Sequence, residues 1–456
     1  MSTIAAIGTA LGSSGISIIR ISGKDSLNII SKIFTGYKKL TENSIHYGKI
    51  IDDGKVIDNV LVSYFKSPNS FTGEDVCEIN CHGGTYITQK ILDIVLQNGA
   101  VLAGPGEFSK RAFLNGKMDL SEAESIIDLI NSKTQLEAKI ATDKLNGSLK
   151  QDITNIREDL INILAHIDVN VDYPEYDYEQ LEIDSLNTFL DEKINRLGHL
   201  IDTYQQGKYI KNGVNVTIIG KPNSGKSSLL NNLSKKNRAI VTDIEGTTRD
   251  IITETVDIGD LILNINDTAG IRDTEDVIEK IGVEKSLEML DTSDLILYIF
   301  DPSKKIEENE IKLISKIENK GFKIIYLINK MDEYDKLIFS TFMDEILKLT
   351  KNEVLKISAK ENLGIEELKI KIKQMFLNDE LNHFNENIIV SERHKELLMN
   401  AYNMLSKAKE EIKIDMPIDM ISLNIKEAGK YLGQIIGKDI SVDVSNKVFE
   451  KFCIGK

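Results

Sequence analysis

The stretch that most constrains the fold of this chain spans residues 214–228 and reads VNVTIIGKPNSGKSS. A β-branched run leads into G-x-x-x-x-G-K-S, and an apolar helical pattern follows. Gly220 and Gly225 let the backbone curl so that successive N–H groups face inward, and the helix adds its N-terminal donors. In this motif Lys226 reaches the β- and γ-phosphates, and the Ser227 hydroxyl ligates Mg²⁺. The alternative is a glycine turn that binds nothing, but the strand–loop–helix context favours a phosphate loop.

Length and composition limit the classes of protein to which this chain can belong. A chain of 456 residues is long enough for roughly three domains. The sequence has no apolar run of transmembrane length and no basic signal-peptide segment, so we expect a cytoplasmic protein that does not enter a membrane. Three cysteines cannot form a disulfide framework and suit a reducing compartment. The formal net charge of −15 argues against a general nucleic-acid coat, but it leaves room for RNA at a local basic patch.

The first part of the chain, residues 1–117, predicts an α+β domain. The strand candidates are residues 16–21, 60–65 and 75–81, and the helix candidate is residues 86–96. Cys77 and Cys81 share one strand face next to His82, but no further ligand has a zinc-like spacing. We therefore predict ordinary buried cysteines.

Helical periodicity characterises the segments on both sides of the phosphate-loop region. Apolar residues between positions 126 and 167 recur mostly every three to four residues, which predicts one or two long helices, with Ser121 and Glu124 as a candidate capping box. The periodicity returns at residues 391–412 and 419–436, split near Pro417.

Between these segments the pattern changes to alternating strands and helices. Strands are predicted to end at Ile219, Asn266, Phe300, Ile328 and Ile357. This pattern indicates a doubly wound sheet whose ligand lies at the carboxyl ends of the strands. The expected architecture is multidomain: an α+β domain (1–117), an all-α helical domain in two halves (118–211 and 376–456), and an α/β P-loop domain (212–375) inserted into it.

Two motifs that follow the phosphate loop supply groups for the γ-phosphate. Residues 246–250 read GTTRD, and its Thr248 can reach Mg²⁺ and the γ-phosphate. Residues 267–270 read DTAG; the Asp267 carboxylate can hold Mg²⁺ through water, and the Gly270 N–H can sense the γ-phosphate. Together with the phosphate loop, these motifs point to nucleotide hydrolysis.

Two later motifs select the base. In NKMD (residues 329–332) the Asp332 carboxylate can accept hydrogen bonds from guanine N1–H and N2–H₂, a pair that adenine does not offer. SAK (residues 358–360) is expected to support the base through main-chain contacts. All five motifs in order predict a GTPase. The candidate nucleotide-binding residues are Asn223, Ser224, Gly225, Lys226, Ser227, Ser228, Thr242, Thr247, Thr248, Asp267, Thr268, Ala269, Gly270, Asn329, Lys330, Asp332, Ser358, Ala359 and Lys360.

Two positions depart from the Ras pattern. The residue after DTAG is Ile271, which cannot orient a water, so the catalytic polar group must come from elsewhere. Glu279 in the carboxylate-rich segment 272–282 is a candidate, although a solvated helix face explains that segment equally well from the bare sequence. Asn223 occupies a phosphate-loop position where a carbonyl oxygen could ligate a monovalent cation, and such a cation could supply the charge of an arginine finger.

Motifs outside the P-loop domain make the resemblance to a family specific. With GKPNSGKSS, GTTRD, DTAG and NKMD, the chain also contains ISIIRISG, FTGEDVCEINCHGG, PGEFSKRAFLNGKMDL and a terminal CIGK. On these motifs the whole chain resembles the MnmE (TrmE) family of tRNA-modification GTPases. The resemblance implies an N-terminal domain that binds a tetrahydrofolate derivative (5-formyl- or methylene-tetrahydrofolate) and forms a homodimer. It also implies G domains that associate with the help of K⁺, and an FAD-containing partner, MnmG (GidA), with which the family modifies the wobble uridine of certain tRNAs.

The resemblance also implies roles for single residues. Ser227 and Thr248 resemble the Mg²⁺ ligands, and Glu279 resembles the residue that organises the attacking water. The implied K⁺ ligands are Asn223, Thr242, Ile244 and Thr247. The implied folate contacts are Arg20, Glu78, Lys117 and Lys456. Cys453 resembles the family's modification-linked cysteine, whose chemical role does not follow from the sequence.

A switch protein of another class is the competing hypothesis, for example a ribosome-assembly GTPase that binds RNA and hydrolyses GTP slowly. Such GTPases often carry a basic RNA-binding appendage, and this acidic chain shows no obvious one. The terminal CIGK and the PGEF segment favour tRNA modification.

Overall fold

The computed structural model describes residues 1–172, 183–234, 253–266, 290, 292–377 and 387–455. The chain divides into two compact units. The first unit contains residues 1–130, 141–197 and 396–456, and the second contains residues 131–140 and 198–395. The first unit is therefore assembled from segments that precede and follow most of the second unit in sequence.

A sheet of six described strands forms the N-terminal part of the first unit. The strands are β1 Ile4–Ile7, β2 Ser14–Ser22, β3 Ser44–Asp52, β4 Lys55–Phe65, β5 Val76–Gly83 and β6 Val101–Leu102. Their order is β3-β4-β5-β2-β1-β6, and each neighbouring pair is antiparallel except β1 with β6. The three predicted strands are confirmed in β2, β4 and β5, although the third was predicted to begin one residue before β5.

Alternation along β2 decides which face of this sheet is buried. Ile19 and Ile21 are fully buried against α1 (Ser26–Ile33) and α2 (Thr85–Gln97), and α2 confirms the predicted helix. The opposite face packs its β1 side chains against α3 (Glu107–Leu114). The sheet thus has a helical layer on one face and one short helix on the other.

Cys77 and Cys81 confirm the prediction of ordinary buried cysteines. Both lie on β5 in the core beneath α1 and α2, and both are free thiols. His82, the next residue, points to the other face, where its Nδ1 lies 2.6 Å from Asp58 Oδ1.

The segment predicted as one or two long helices is divided into three, so that prediction is wrong in number. The helices are α4 Leu120–Asn131, α5 Gln135–Leu145 and α6 Ser148–Asp172. The break between α5 and α6 falls at Gly147, whose φ of +89° suits glycine but not the helical backbone.

The capping box at the start of α4 is also displaced from its predicted position. Asp119, not Ser121, is the cap: its Oδ1 accepts from Glu122 N at 2.8 Å, and Glu122 Oε2 accepts from Asp119 N at 2.7 Å. Asp serves because its carboxylate, like a Ser hydroxyl, accepts from the free N–H groups of the first turn. Ser121 instead lies within the helix and donates to Asp119 Oδ1.

Three further helices lie near the C-terminus, and from Glu396 onward they belong to the first unit. They are α12 Glu392–Lys413, α13 Ile418–Ile435 and α14 Val442–Phe449, and the break at Pro417 confirms the predicted split. α13 packs along α6. Phe449 and Phe452 bury their rings against Leu120 and Ala123 of α4, so the C-terminal segment is fixed to the start of the helical region.

The second unit contains a second sheet of six described strands. Its strands are β7 Val214–Gly220, β8 Thr253–Asp257, β9 Ile262–Asn266, β10 Leu295–Phe300, β11 Ile324–Ile328 and β12 Glu353–Lys356. Their order is β12-β11-β10-β7-β9-β8, and all neighbours are parallel except β8 with β9. The five predicted strand ends are confirmed to within one residue, whereas the antiparallel edge strand β8 was not predicted.

Helices cover both faces of this sheet. They are α8 Lys226–Ser234, α9 Glu308–Lys320, α10 Lys336–Leu347 and α11 Ile365–Phe376, with the end of α7 (Ile183–Asn212) leading into β7. One core contains Val216, Leu297 and Leu327, and the other contains Ile296, Tyr298 and Tyr326. Because both faces are buried, the central strands are continuous apolar runs, as expected of a parallel sheet. The carboxyl ends of β7, β10 and β11 meet at one edge.

Within the described ranges, no helix is both long enough and apolar enough to cross a lipid bilayer.

Candidate nucleotide-binding site

The phosphate loop connects β7 to α8 with the backbone that its glycines permit. Asn223 has φ +62° and Gly225 has φ +105°, both in the left-handed region. A side chain at Gly225 would also collide with the amide of Asn329. Position 225 therefore requires glycine for two reasons, conformation and space.

Lys226 begins α8 and folds its side chain back over the loop. Its Nζ donates to Gly220 O at 2.8 Å and to Lys221 O at 2.9 Å. Burial lowers the pKa of this amine, and the positive charge of Lys304 lowers it further. A bound phosphate would raise the pKa of Lys226 again, because its negative charge stabilises the partly desolvated ammonium group.

The other phosphate-loop candidates lie around Lys226. Ser227 and Ser228 are exposed in the first turn of α8, and Asn223 is exposed at the outer side of the loop, whereas Ser224 is fully buried. The exposed hydroxyls are accessible to an ion or a phosphate oxygen. The buried Ser224 contributes its carbonyl to the structure instead, as the next contact shows.

Asn329 joins three of the predicted motifs. Its side-chain Nδ2 donates to Ser224 O at 2.7 Å, and its Oδ1 accepts from Ala359 N at 2.9 Å. The residue is 3% exposed. The phosphate loop, NKMD and SAK are thereby held at one edge of the sheet, as the sequence predicted. Both polar atoms of the Asn329 side chain are engaged in these protein contacts.

Asp332 presents an exposed carboxylate beside the SAK loop. A hydrogen bond from the Ser358 side chain holds the pKa of Asp332 below its usual value, with further help from the Lys360 and Lys330 charges. Ser358 is fully buried, and Lys360 is exposed. The carboxylate is therefore ionised and oriented, which is what the acceptance of two base N–H groups requires.

Lys330 is held by a residue that sequence reasoning missed. Its Nζ lies 2.7 Å from Asp301 Oδ2, and the Asp301 side chain is 2% exposed. Burial raises the pKa of Asp301, but hydrogen bonds from Lys330 and Ser303 outweigh it and lower the pKa overall. Asp301 follows β10 directly, at the same sheet edge as the motifs, and that position is the signal that could have identified it.

Several candidates fall outside the described residues, so the structure places none of them. They are Thr242, Ile244, Thr247, Thr248, Asp267, Thr268, Ala269, Gly270, Glu279 and Lys456.

The N-terminal candidates Arg20 and Glu78 are neighbours across β2 and β5. Arg20 Nε donates to Glu78 Oε1 at 2.9 Å, and their side chains are 27% and 23% exposed. Arg20 also donates to the Gly455 carbonyl at 3.3 Å, which brings the C-terminal segment to this pair. Polar groups of Arg20, Glu78 and Gly455 therefore converge on this face of the sheet.

Lys117 and Cys453 are placed by different contacts. Lys117 Nζ donates to Pro68 O at 3.0 Å, and within the described residues it forms no hydrogen bond or ion pair with Arg20 or Glu78. Cys453 is exposed, and its carbonyl accepts from Gly106 N at 3.2 Å. An antiparallel bridge between Pro105 and Ile454 supports the same segment.

Comparison with known proteins matches the chain from end to end. The family model described as MnmE helical domain matches residues 120–453, and that described as GTP-binding protein TrmE N-terminus matches residues 3–117. The tRNA modification GTPase MnmE of Acetivibrio thermocellus is 45% identical over 100% of this chain and 99% of its own. The protein of that name from Clostridioides difficile is 43% identical with the same coverage.

The structural comparison is more remote. Era in complex with MgGDPNP and nucleotides of 16S ribosomal RNA matches 42% of this chain and 66% of that chain, at 26% identity and a TM-score of 0.29. This match adds nothing to the assignment. On the family models and the full-length identity, the chain belongs to the MnmE (TrmE) family of tRNA modification GTPases.

Proposed function

We propose that this GTPase acts with an FAD-containing partner of the MnmG (GidA) type, in a heterotetramer-type complex, to install an aminomethyl-type group on the wobble uridine of certain tRNAs. The family and the name of its relatives, tRNA modification GTPase, support the proposal. The observation that carries the nucleotide part is the Asn329 amide, which holds the phosphate loop and the SAK loop together.

The proposed nucleotide site uses the sheet edge for both ends of GTP. Lys226 pairs with the β- and γ-phosphates, and Asp332 accepts from guanine. Mg²⁺ use follows from the family, and the exposed Ser227 hydroxyl beside Lys226 suits it, with Thr248 as the second proposed ligand. When bound, the ion neutralises charge that develops on the phosphate oxygens.

Hydrolysis is proposed to depend on K⁺ and on association of G domains in a homodimer. Asn223 fits a cation ligand because it is exposed on a turn with left-handed φ, which leaves its side-chain oxygen accessible. Thr242, Ile244 and Thr247 are the further proposed ligands. Since the side chain of Ile271 has no polar atom, we assign orientation of the attacking water to Glu279.

The N-terminal domain is proposed to bind a tetrahydrofolate derivative, either 5-formyl- or methylene-tetrahydrofolate. The two side chains fit such a ligand, because Glu78 can accept from pterin N–H groups and Arg20 can pair with a carboxylate tail. The side chains of Arg20 and Glu78 are both partly accessible. Lys117 and Lys456 remain proposed contacts, and Cys453 remains a proposed modification-linked residue. The proposed domains are residues 1–117, 118–211 with 376–456, and 212–375.

Analysis of wobble uridines in tRNA from a deletion strain tests this function. We expect the modified nucleoside to disappear and to return with the wild-type chain, but not with Lys226→Ala. Under the competing hypothesis of ribosome assembly, the tRNA would stay modified and the deletion would instead accumulate immature ribosomal subunits.

A further inference from the structure

Lys221, the residue after the first phosphate-loop glycine, has its charge fully engaged outside the loop. Its Nζ lies 2.8 Å from Glu310 Oε2 and 2.9 Å from Glu307 Oε1. It also donates to the Lys305 carbonyl at 2.8 Å. All three partners belong to residues 301–310, the loop after β10 and the first turn of α9, which we name the β10–α9 segment.

These contacts are well placed to persist in water. The side chain of Lys221 is 18% exposed and that of Glu310 is 6% exposed. Burial lowers the pKa of Lys221, but the two carboxylates outweigh it, so the pKa is raised overall and the amine stays charged. Glu310 is itself fixed, because its carboxylate accepts from Glu307 N in the capping box of α9.

A second lysine makes the reciprocal contact. Lys304, in the β10–α9 segment, donates its Nζ to the carbonyl of Pro222 in the phosphate loop. One lysine therefore reaches from the loop to the segment, and the other reaches from the segment to the loop. The same segment contains Asp301, which holds Lys330 of NKMD.

We propose that Lys221 and Lys304 are positioning residues that clamp the phosphate loop in its nucleotide-binding conformation and so set how long the nucleotide stays bound. The inference rests on the proposed placement of the GTP phosphates in that loop. The clamp matters because a loop with two glycines, Gly220 and Gly225, loses much conformational entropy when it closes on a ligand. A loop that is already ordered does not incur this cost on binding.

The clamp predicts a specific separation of effects. If its loss leaves the loop in the binding conformation only about a tenth of the time, apparent affinity falls about tenfold. Without the clamp the loop also opens more often while nucleotide is bound, and each opening lets nucleotide leave, so the lost affinity appears as faster release. While the loop is closed its phosphate contacts are unchanged, so hydrolysis in the bound state changes little. A purely structural role would lower thermal stability without this change in nucleotide release.

The test is dissociation of mant-GDP from the full-length chain, followed by stopped flow, with single-turnover GTP hydrolysis at saturating enzyme. Lys221→Met should raise the dissociation rate about tenfold, and Lys221→Arg, which keeps the charge, should stay near wild type. Lys304→Ala should raise it in the same direction. Single-turnover hydrolysis should remain within about threefold of wild type for each.

Lys373→Met is the matched control, because its Nζ also lies 2.9 Å from a carboxylate, Asp260 Oδ2, in the same unit. Asp260 lies in the turn before β9, at the sheet edge opposite the phosphate loop. Lys373→Met should therefore release mant-GDP at the wild-type rate. If Lys221→Met does not fold, Glu307→Gln replaces it, since that carboxylate is 69% exposed.

Unchanged release in Lys221→Met, or equal increases in Lys221→Met and Lys373→Met, would overturn the clamp. Lys226→Ala separates this failure from failure of the site. If Lys226→Ala binds mant-GDP as wild type does, the proposed phosphate site is wrong and the clamp falls with it.

Discussion

The side-chain amide of Asn329 donates to the carbonyl of Ser224 at 2.7 Å, across a gap of 105 residues in the sequence. The same amide accepts from the Ala359 N–H at 2.9 Å. A buried amide that satisfies two main-chain groups of different loops fixes the distance between them. The separation between the phosphate end and the base end of the site is thus set by a residue that both loops share.

The first prediction concerns this residue. Asn329→Ala leaves the Ser224 carbonyl and the Ala359 N–H without their partner in a buried place, at about 1–3 kcal/mol for each group. We expect lower thermal stability of the second unit and a GTP affinity reduced by at least about tenfold, measured by calorimetry. Asn352→Ala is the control, because it removes a bond to Glu318 at the opposite sheet edge. Equal loss of GTP affinity in both variants would contradict the argument.

The site was predictable from sequence where the chemistry is local. The phosphate loop, NKMD and SAK each follow a strand, and parallel strands place their carboxyl ends at one edge, so their meeting followed from order alone. The residues that join them were not predictable in the same way. Asp301 and Lys221 bind partners that are distant in sequence. The position of either residue in its motif or loop does not identify that partner.

The wrong or missing predictions about the fold have similar causes. β8 is short and is stabilised by pairing with β9, so its own sequence gave little signal. The helical periodicity of apolar residues continues through Gly147, although the backbone leaves the helical conformation there. Periodicity shows which side chains are apolar, but it does not show where a helix ends. At Asp119 the cap has the form Asp-x-x-Glu, in which a carboxylate takes the place of the Ser hydroxyl, so the Ser-x-x-Glu pattern places the cap two residues too late.

The second prediction concerns the cysteines. Burial, with the Asp75 charge, raises the pKa of Cys77 to about 12, and burial also raises the pKa of Cys81, whereas Cys453 is exposed. Because the thiolate is the reactive form, a raised pKa lowers reactivity at neutral pH. At about pH 8 we expect iodoacetamide to modify Cys453 alone in the native chain and all three cysteines after denaturation, as read by peptide mass spectrometry. Rapid native modification of Cys77 would contradict the buried placement.

The third prediction is that K⁺ stimulates GTP hydrolysis more than Na⁺ does. Asn223 offers an oxygen on an exposed turn, and Ile271 supplies no catalytic side chain after DTAG. A cage of oxygens suited to K⁺ holds the smaller Na⁺ poorly. We expect turnover to be about ten or more times faster in K⁺, with the difference largely lost in Asn223→Ala. Equal rates in the two salts would remove the cation from the mechanism.

The last prediction is that Asp332 determines the choice of base. The carboxylate is exposed for the ligand while the buried Ser358 orients it, and its lowered pKa means that it stays ionised down to a pH below the usual value for Asp. Guanine selectivity should therefore not change between about pH 6 and pH 8. Asp332→Asn replaces an acceptor by a donor, so GTP should bind at least about a hundredfold more weakly, while xanthosine triphosphate, which offers an acceptor at that position, should bind better than GTP. Competition of both nucleotides against mant-GDP measures the switch. A variant that kept the wild-type preference for GTP would show that another residue reads the base.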